Sequence, residues 1–555
     1  MLVFKGSLNY KLYLIMNISN ITGSDKRFFI IVASCLLLLS AFLHFWKIGE
    51  VPNGFYADES SIGYNAWCIA ETGADEYEIK YPVFFKCFGN YHDPVMVYFL
   101  APLMKIFGPE KWVVRFPSAL FHLLASIAFF FLAAKYASNR WICLAGAFVF
   151  STLPWIFPVS RVMMSGYTAM LLGIIAGWYF LMQAFGKRSV GFAVASGISW
   201  AFAMYAHNIG RPMTAAILVC FVLAMNVLLI RRWKVFLAFL AAFAGALVPM
   251  IASVINNYES MTSRFSTLKV WAGSSGIPET ASRMVDRYLE YFSPAFLFIN
   301  GDSNLRHNSG ASGELYVFMA PFIIAGFYCF YKGFRRNPFL RFALLGILVY
   351  PLAAVLTIDH MHSMRALNGV VFWNVLAVIG AGCLWRKRNV IFYRIVLYAM
   401  PVVFIFELTA YMSDYFGKYP ERSRLAFAAP LIEAFEYSFK KLEPGETLYV
   451  SASSIPQKIN VEFKPFWYMY LLFFGKVPPS IYQAKGLPMD YICAYQGQPL
   501  KKGILVRNNI VSFKDGNGVV HSLLNDEKVP VNGVLIQKFP IMPGEKVFIE
   551  VYRIK

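Results

Sequence analysis

Residues 28–46, FFIIVASCLLLLSAFLHFW, form an apolar run without Asp, Glu, Lys or Arg. A helix rises about 1.5 Å per residue, so a run of this length spans the roughly 30 Å hydrocarbon core of a bilayer. Lys26 and Arg27 stand immediately before the run, and no small-residue cleavage site follows it. This pattern predicts a retained membrane anchor and not a signal peptide that is removed.

The same apolar composition continues through most of the chain. Of the 555 residues, 58% are hydrophobic and only 15% are charged, and the mean hydropathy is +0.52. Soluble proteins carry about 25% charged residues. The composition therefore excludes a disordered tail, a coiled coil and a soluble multidomain enzyme. The formal net charge of +20 is explained by basic cytoplasmic loops, and we expect no binding to nucleic acid.

Ten further apolar runs have the length of a membrane span. Loops rich in Lys and Arg alternate along the chain with short loops that hold one arginine each. The positive-inside rule places the rich loops and the N-terminus in the cytoplasm. The predicted protein is therefore a multi-pass protein of the cytoplasmic (inner) membrane. Its eleven predicted spans are 28–46, 115–134, 141–157, 164–185, 189–206, 212–230, 235–255, 315–331, 342–358, 366–385 and 391–411.

The predicted spans divide the chain into a cytoplasmic N-terminus at 1–27 and a transmembrane domain at 28–411, with long outer loops at 47–114 and 256–314. Residues 94–107, PVMVYFLAPLMKIF, are too short for an ordinary span. Counting them as a span would place the basic loops outside. We therefore predict a helix that lies in the outer interface.

The composition changes after the last predicted span. Alternating stretches that begin at Leu448, Gly503 and Val547 predict strands, and Asp515-Gly-Asn-Gly predicts a turn. Residues 412–555 are therefore predicted to form an extracytoplasmic domain. The predicted fold class is a polytopic all-α membrane protein with outer-interface helices and a small C-terminal α/β domain.

An adjacent acidic pair, Asp58 and Glu59, follows the first span. Ionisable groups near a membrane are costly unless they face water or one another, so they mark candidate functional sites. We expect Asp58 to cap a helix that begins at Glu59 or Ser60, which would fix a carboxylate at the membrane surface. On periodicity alone, a helix cap without a catalytic role is the simpler explanation.

Three single arginines, Arg161, Arg211 and Arg365, lie at the predicted outer ends of spans. Positive charge is not needed there for topology. Guanidinium groups suit bidentate phosphate binding. One such arginine is usually an interfacial anchor, but three on one side, facing the acidic pair, favour a phosphate site.

Polar residues also precede the predicted interfacial helix. Lys86, His92 and Asp93 stand just before Pro94. A helix that begins at Pro94 would direct free backbone N–H groups at an anion near His92. A plain polar loop end explains these residues equally well.

The second long loop ends with Asp302, Arg306 and His307 in a turn-rich segment. These side chains would bind a sugar or satisfy one another. Asp359, His360 and His362 follow later, but histidines at i and i+2 do not face alike on a helix. We therefore predict no metal and no cofactor, and His360 is a candidate substrate-binding residue.

The eight cysteines show no CxxC motif and no zinc-like spacing. Cys68 and Cys87 share the first outer loop and are a candidate disulfide pair.

Taken together, these residues resemble the polyprenyl-phosphate-sugar-dependent membrane glycosyltransferases with the GT-C fold, such as protein O-mannosyltransferases and lipid A aminoarabinose transferases. The resemblance covers about residues 28–410. The matching segments are the Asp58-Glu59 pair, Arg115 to Ala119, Ser160-Arg161, Gly301 to His307 and the Arg365 segment. His92-Asp93-Pro94 departs from a Lys-Pro-Pro-like stretch in relatives. A lysine contact with the lipid phosphate would then fall to His92 or Lys86.

The resemblance implies transfer of a single sugar from a polyprenyl (undecaprenyl or dolichyl) phosphate to an extracytoplasmic acceptor, with inversion. The acceptor would be a lipid, a glycan or a protein. The phosphate leaving group needs positive charge, and a hydroxyl acceptor needs a base. If the acceptor is itself a phosphate, no base is needed.

The implied roles are as follows. Asp58 would be the base, and Glu59 would orient it or the sugar. The donor-phosphate candidates are Arg161, Arg211, Arg365, His92 and Lys86, and the substrate-binding candidates are Asp93, Asp302, Arg306, His307 and His360.

Three other classes of function remain open from the residues. One is a purely structural membrane protein with an outer binding domain, which would not explain why the single arginines lie on one side. A transporter or flippase of lipid-linked sugars would place substrate groups near the bilayer midplane, often within internal repeats. Here the charged groups lie at one face and no repeat is visible. A surface-polysaccharide polymerase or ligase would use a lipid-linked oligosaccharide, so the size of the donor distinguishes it.

Overall fold

The computed structural model describes residues 23–88, 90–258, 276–333, 337–357, 361–451, 467–486, 492–495, 500–508, 510–514, 520–524, 532–540 and 548–555. His360 and the turn predicted at Asp515 lie outside these residues.

Helices make up most of the chain as far as residue 441. The elements in chain order are α1 (Gly23–Phe45), α2 (Ala57–Thr72), β1 (Phe85–Cys87), β2 (Asn90–His92), α3 (Pro94–Phe107), α4 (Lys111–Ala133), α5 (Arg140–Thr152), α6 (Phe157–Ser160), α7 (Tyr167–Lys187), α8 (Val190–Ala206), α9 (Gly210–Arg231), α10 (Trp233–Asn256), α11 (Ile277–Glu290), α12 (Ala320–Gly333), α13 (Pro338–Val349), α14 (Leu352–Val355), α15 (Gly369–Arg386), α16 (Ile391–Gly417), α17 (Tyr419–Arg422) and α18 (Ala429–Lys441). A π-helical turn at Ala295–Ile299 and a 3₁₀ turn at Val317–Met319 precede α12.

Each of the eleven predicted spans overlaps at least one helix, and residues 94–107 form the predicted short helix α3. Within the described residues, eight helices are long and apolar enough to cross a membrane. The polytopic helical fold class is therefore confirmed. The number of crossings and the side on which each loop lies stay predictions, because the other apolar helices are shorter.

The bundle is closely packed around α7 and α15. α7 packs against α4 and α8, and α15 packs against α12. Gly173 of α7 allows the close approach of α8, since a Cβ there would lie 2.8 Å from the Ser199 carbonyl oxygen. A disulfide joins Cys329 of α12 to Cys383 of α15.

The disulfide suggested by the sequence is not formed. Cys68 and Cys87 are both buried, and neither forms a disulfide. Sharing a loop did not bring the two sulfur atoms into a bond, because Cys68 faces the core from α2 and Cys87 from β1.

The C-terminal region contains a small sheet, as the alternating sequence predicts. Its elements are β3 (Thr447–Ser451), α19 (Trp467–Phe474), α20 (Pro479–Lys485), β4 (Ile492–Tyr495), β5 (Gly503–Asn508), β6 (Ile510–Lys514), β7 (Val520–Leu524), β8 (Gly533–Pro540) and β9 (Phe548–Ile554). Five strands form a mixed sheet in the order β4-β3-β5-β9-β8. β3 is parallel to β4 and β5, whereas β9 is antiparallel to β5 and β8.

Two helices of the C-terminal region, α19 and α20, pack directly on α2. The Phe473 ring stacks on Phe55 with 5.1 Å between ring centroids. The Tyr64 hydroxyl donates to the Val477 carbonyl oxygen at 2.9 Å. α2 is thus packed between the helical bundle and the C-terminal region.

Candidate active site

The acidic pair lies in the first turn of α2. The helix begins at Ala57 with Tyr56 as N-cap, so Asp58 is not the cap that the sequence predicts. The reason is Glu59, whose carboxylate accepts the Tyr56 backbone N–H at 2.9 Å in a capping-box arrangement. Both carboxylates therefore lie at the positive end of the helix dipole.

Glu59 is completely buried and every one of its acceptor positions is used. Its Oε1 accepts the Arg115 Nε–H at 2.8 Å and the Met163 backbone N–H at 3.1 Å. Its Oε2 accepts the Tyr56 N–H and the Arg115 Nη2–H. An ionised carboxylate offers about four such positions. Glu59 is therefore suited to positioning the start of α2 and not to contact with a substrate.

Arg115 completes this connection. Besides binding Glu59, its guanidinium donates to the carbonyl oxygens of Ile48, Pro52 and Gly54 at 2.9–3.2 Å. The side chain therefore links α4, the loop after α1 and the start of α2. The sequence placed Arg115 in a matching segment but gave it no role.

Asp58 differs from its neighbour because it is only half-buried. The described residues include no hydrogen-bond or ion-pair partner for its carboxylate. Arg306 lies close by, with its guanidinium 4.5 Å from the centroid of the Tyr56 ring. The second outer loop thus brings a cation to the start of α2.

Tyr470 of α19 is buried, and it is a neighbour of the residues at the start of α2. Burial, then the charges of Tyr56, Glu59 and Asp58, raise the pKa of the Tyr470 hydroxyl well above its ordinary value, and Arg306 acts in the opposite direction. Tyr470 therefore lies within electrostatic range of Asp58 and Arg306. The sequence gave no signal for this residue, because the pattern of α19 is uniformly apolar.

Arg161 is fully buried just after α6, and its contacts disfavour the predicted role in phosphate binding. Its Nη1 donates to the carbonyl oxygens of Leu43 and His44 at 2.6 and 2.7 Å, and its Nη2 donates to those of Trp46 and Val51 at 2.7 and 3.2 Å. These contacts satisfy carbonyl groups at the end of α1. They use all the N–H groups of the two terminal nitrogens.

Arg211 forms a buried ion pair with Asp93. The other oxygen of Asp93 accepts the Asn208 backbone N–H at 2.8 Å. Two residues that the sequence assigns to phosphate and substrate are thus brought together as partners of each other. Because Asp93 neutralises Arg211, this pair is less suited to binding a phosphate than the sequence suggests.

His92 and Lys86 lie on a two-stranded hairpin, where they are separated. His92 pairs with Phe85, and Lys86 pairs with Tyr91. Neighbouring pairs of a hairpin point to opposite faces. Accordingly, His92 is buried whereas Lys86 is exposed, with its Nζ 5.5 Å from the centroid of the Tyr77 ring. The hairpin therefore directs the two side chains to opposite faces.

Asp302 and His307 form a second cluster, which His362 completes. The His307 Nδ1 lies 2.7 Å from the Asp302 Oδ2, which also accepts the Ser363 backbone N–H at 2.8 Å. The ring centroids of His307 and His362 are 4.2 Å apart. Burial lowers the pKa of His307, and the hydrogen bond with Asp302 acts in the opposite direction.

Arg365 is buried beside this cluster. Its Nη1 donates to the Thr357 hydroxyl at 2.6 Å. Its charge acts on the Tyr291 hydroxyl and on the imidazole of His307. Arg365 therefore lies beside the cluster that contains the predicted site residues Asp302 and His307.

A comparison with curated proteins gave no match. The chain is similar to ArnT from Cupriavidus metallidurans bound to undecaprenyl phosphate, with 16% identity, a TM-score of 0.47, and coverage of 86% of this chain and 92% of that chain. It is also similar to the apo form of the Archaeoglobus fulgidus oligosaccharyltransferase, with 12% identity, a TM-score of 0.48, and coverage of 92% of this chain and 76% of that chain. The similarity to the S. cerevisiae protein O-mannosyltransferase Pmt1-Pmt2 complex bound to the sugar donor has 17% identity and a TM-score of 0.30. It covers 42% of this chain and 34% of that chain.

Residues 91–255 match the family model described as dolichyl-phosphate-mannose-protein mannosyltransferase. This segment begins at Tyr91 beside His92, includes Arg115, Arg161 and Arg211, and ends in α10. The resemblance to polyprenyl-phosphate-sugar-dependent membrane glycosyltransferases is therefore confirmed for this part of the chain.

Proposed function

We propose that this protein is a membrane glycosyltransferase that moves a single sugar from a polyprenyl phosphate to an acceptor. The family match over residues 91–255 supports the class of reaction. The predicted topology puts the loop that carries Asp58 outside the cytoplasmic membrane, so the acceptor is extracytoplasmic. Inversion at the anomeric carbon follows from a single displacement.

The observation that carries the proposal is the contrast between Asp58 and Glu59. Glu59 is buried and fully bonded, whereas the neighbouring Asp58 is half-buried with an unoccupied carboxylate among the described residues. A carboxylate held on a fixed helix start, yet open on one side, is suited to take the proton of an acceptor hydroxyl. Asp58 is accordingly the proposed base.

The proposed step is one displacement. As Asp58 takes the proton, the acceptor oxygen attacks the anomeric carbon, and the bond from that carbon to the phosphate oxygen breaks. The electron pair leaves with the polyprenyl phosphate, whose second negative charge needs a cation and not a proton donor. Arg306 is the first candidate for this cation, because it lies beside Tyr56 at the start of α2. Arg365 is the second candidate.

The first test is native mass spectrometry of the detergent-purified protein. We expect a retained polyprenyl phosphate that carries one sugar, and its mass would identify the sugar. If no polyprenyl phosphate co-purifies and none binds when it is added, the proposal is wrong. A retained lipid that carries an oligosaccharide would instead indicate a polymerase or ligase.

The second test is turnover of that donor by Asp58→Asn. We expect loss of transfer with donor affinity largely unchanged. The control is Glu50→Gln, which removes an exposed carboxylate from the same loop and should transfer at the normal rate. Near-normal turnover by Asp58→Asn would remove Asp58 from the mechanism. Lipid movement across a vesicle without sugar transfer would identify a flippase and overturn the proposal.

A further inference from the structure

We infer that Asp302, His307 and His362 form a binding site for one divalent transition-metal ion of the zinc class. Each residue offers one ligand atom, and these three atoms lie within 4.8 Å of one another. The inference does not rest on the proposed glycosyl transfer. It departs from the sequence-based expectation of no metal.

The separation of the ligand atoms is close to what a zinc ion requires. Zinc binds imidazole nitrogen and carboxylate oxygen at about 2.0–2.2 Å, so the ligand atoms of a tetrahedral site are about 3.4 Å apart. Asp302 Oδ2 and His307 Nδ1 are already 2.7 Å apart. Binding therefore requires shifts of about 1 Å in side chains that are already neighbours.

Backbone hydrogen bonds hold the carboxylate in place. The Asp302 N–H donates to the Glu314 carboxylate at 2.9 Å, and Asp302 Oδ2 accepts the Ser363 N–H at 2.8 Å. The second of these bonds crosses between the two segments that supply the ligands. Bonds of this kind orient ligands in metal sites.

The His362 end of the cluster is fixed in the same way. Its backbone N–H donates to the Tyr291 hydroxyl at 2.9 Å. Asp302 and His307 are buried, and His362 is half-buried. The cluster is therefore largely shielded from water and is built on positions that are held independently of a metal.

The chemistry of the three ligands selects the metal. Two imidazoles and one carboxylate suit Zn²⁺, Co²⁺ or Ni²⁺, whereas Ca²⁺ and Mg²⁺ prefer sites built from oxygen alone. Three protein ligands leave a fourth position for solvent or an anion. A bound ion would join residues 302–307 to residues 361–365, which are separated in sequence by α12, α13 and α14.

The inference is tested on the full-length protein in detergent. After removal of metal with a chelator, the protein is titrated with Zn²⁺, with Co²⁺ as a visible spectroscopic probe, and with Mg²⁺. We expect one Zn²⁺ or Co²⁺ per chain, a Co²⁺ spectrum of the tetrahedral type, and a higher unfolding temperature with Zn²⁺ but not with Mg²⁺. Absence of stoichiometric binding by the unaltered protein would overturn the inference without reference to any variant.

Variants locate the site. His307→Gln and His362→Gln should each weaken Zn²⁺ binding by at least tenfold and remove the rise in unfolding temperature. His521→Gln, which changes a histidine on β7, is the matched control and should bind as the unaltered protein does. Unchanged affinity in both cluster variants would place any bound metal elsewhere and refute this site. Sugar transfer is measured separately, so loss of metal binding and loss of the proposed activity remain distinguishable.

Discussion

Arg115 and Glu59 form an ion pair with two hydrogen bonds, at 2.8 and 3.1 Å, and both side chains are 0% exposed to solvent. Two charges removed from water are stable only when each is fully compensated. Here the guanidinium and the carboxylate compensate each other. The backbone carbonyl oxygens of Ile48, Pro52 and Gly54 accept the remaining N–H groups of the arginine. The pair fixes the turn on which Asp58 stands.

Removal of one partner should therefore be more harmful than removal of both. We expect Glu59→Ala to lower the free energy of unfolding by about 3–5 kcal/mol, because Arg115 keeps an uncompensated buried charge. The double variant Glu59→Ala, Arg115→Met should recover part of this loss. Thermal unfolding in detergent, followed by tryptophan fluorescence, gives the unfolding temperatures of the single and the double variant. Equal unfolding temperatures for the single and double variants would contradict the compensation argument.

Arg161 provides a test of structure against ligand binding. We expect Arg161→Gln to lower the unfolding temperature, since the carbonyl groups at the end of α1 lose their donor. The folded fraction should bind added polyprenyl phosphate within about twofold of the normal affinity, a shift of less than about 0.5 kcal/mol. The opposite result, normal stability with much weaker binding, would return Arg161 to the phosphate site.

For Arg306 we expect the opposite, an effect on donor binding and not on stability. We expect Arg306→Ala to weaken binding of the donor about 10- to 100-fold, as loss of a charge-assisted hydrogen bond of about 1.5–3 kcal/mol implies. Its unfolding temperature should change little, because the side chain is only half-buried. Arg283→Ala, which removes a half-buried arginine of α11, is the control. If both variants bind the donor equally well, Arg306 is not the phosphate ligand.

Asp93 and Arg211 are expected to act as one unit. In a double-mutant cycle with Asp93→Asn and Arg211→Gln, we expect a coupling energy of about 0.5–3 kcal/mol, because each single change leaves a buried partner unsatisfied. Chemical unfolding of the four proteins gives this value. Additive losses would show that the pair is not coupled, and the predicted roles of Arg211 in phosphate binding and of Asp93 in substrate binding would then stand again.

The helices and the C-terminal strands could be predicted from the sequence because composition and alternation determine them locally. The length of an apolar run decides whether it can cross a bilayer, and the α3 helix follows from its short run and Pro94. The sequence also pointed to Asp58 and Glu59. It misplaced the helix start by two or three residues, because the capping contact of Glu59 with Tyr56 was not considered.

The partners of the buried arginines could not be predicted from sequence. Arg161 binds backbone carbonyl groups. Every residue carries such a group, so no residue type in the sequence indicates the contact. His307 and His362 are far apart in sequence, and only the folding of the intervening helices brings the two rings to 4.2 Å. The spacing argument for a metal considered neighbours along the chain and therefore overlooked them.

The position of α2 has a consequence for how the protein matures. This helix packs on α19 and α20, and Gln483 donates to the Asp75 backbone carbonyl at 2.8 Å. A ribosome completes Asp58 more than 400 residues before it completes these helices. A partly synthesised chain therefore has its acidic pair but lacks one wall of the surrounding structure. Competence for catalysis is thus expected only after residues 467–485 have been made and have docked on α2.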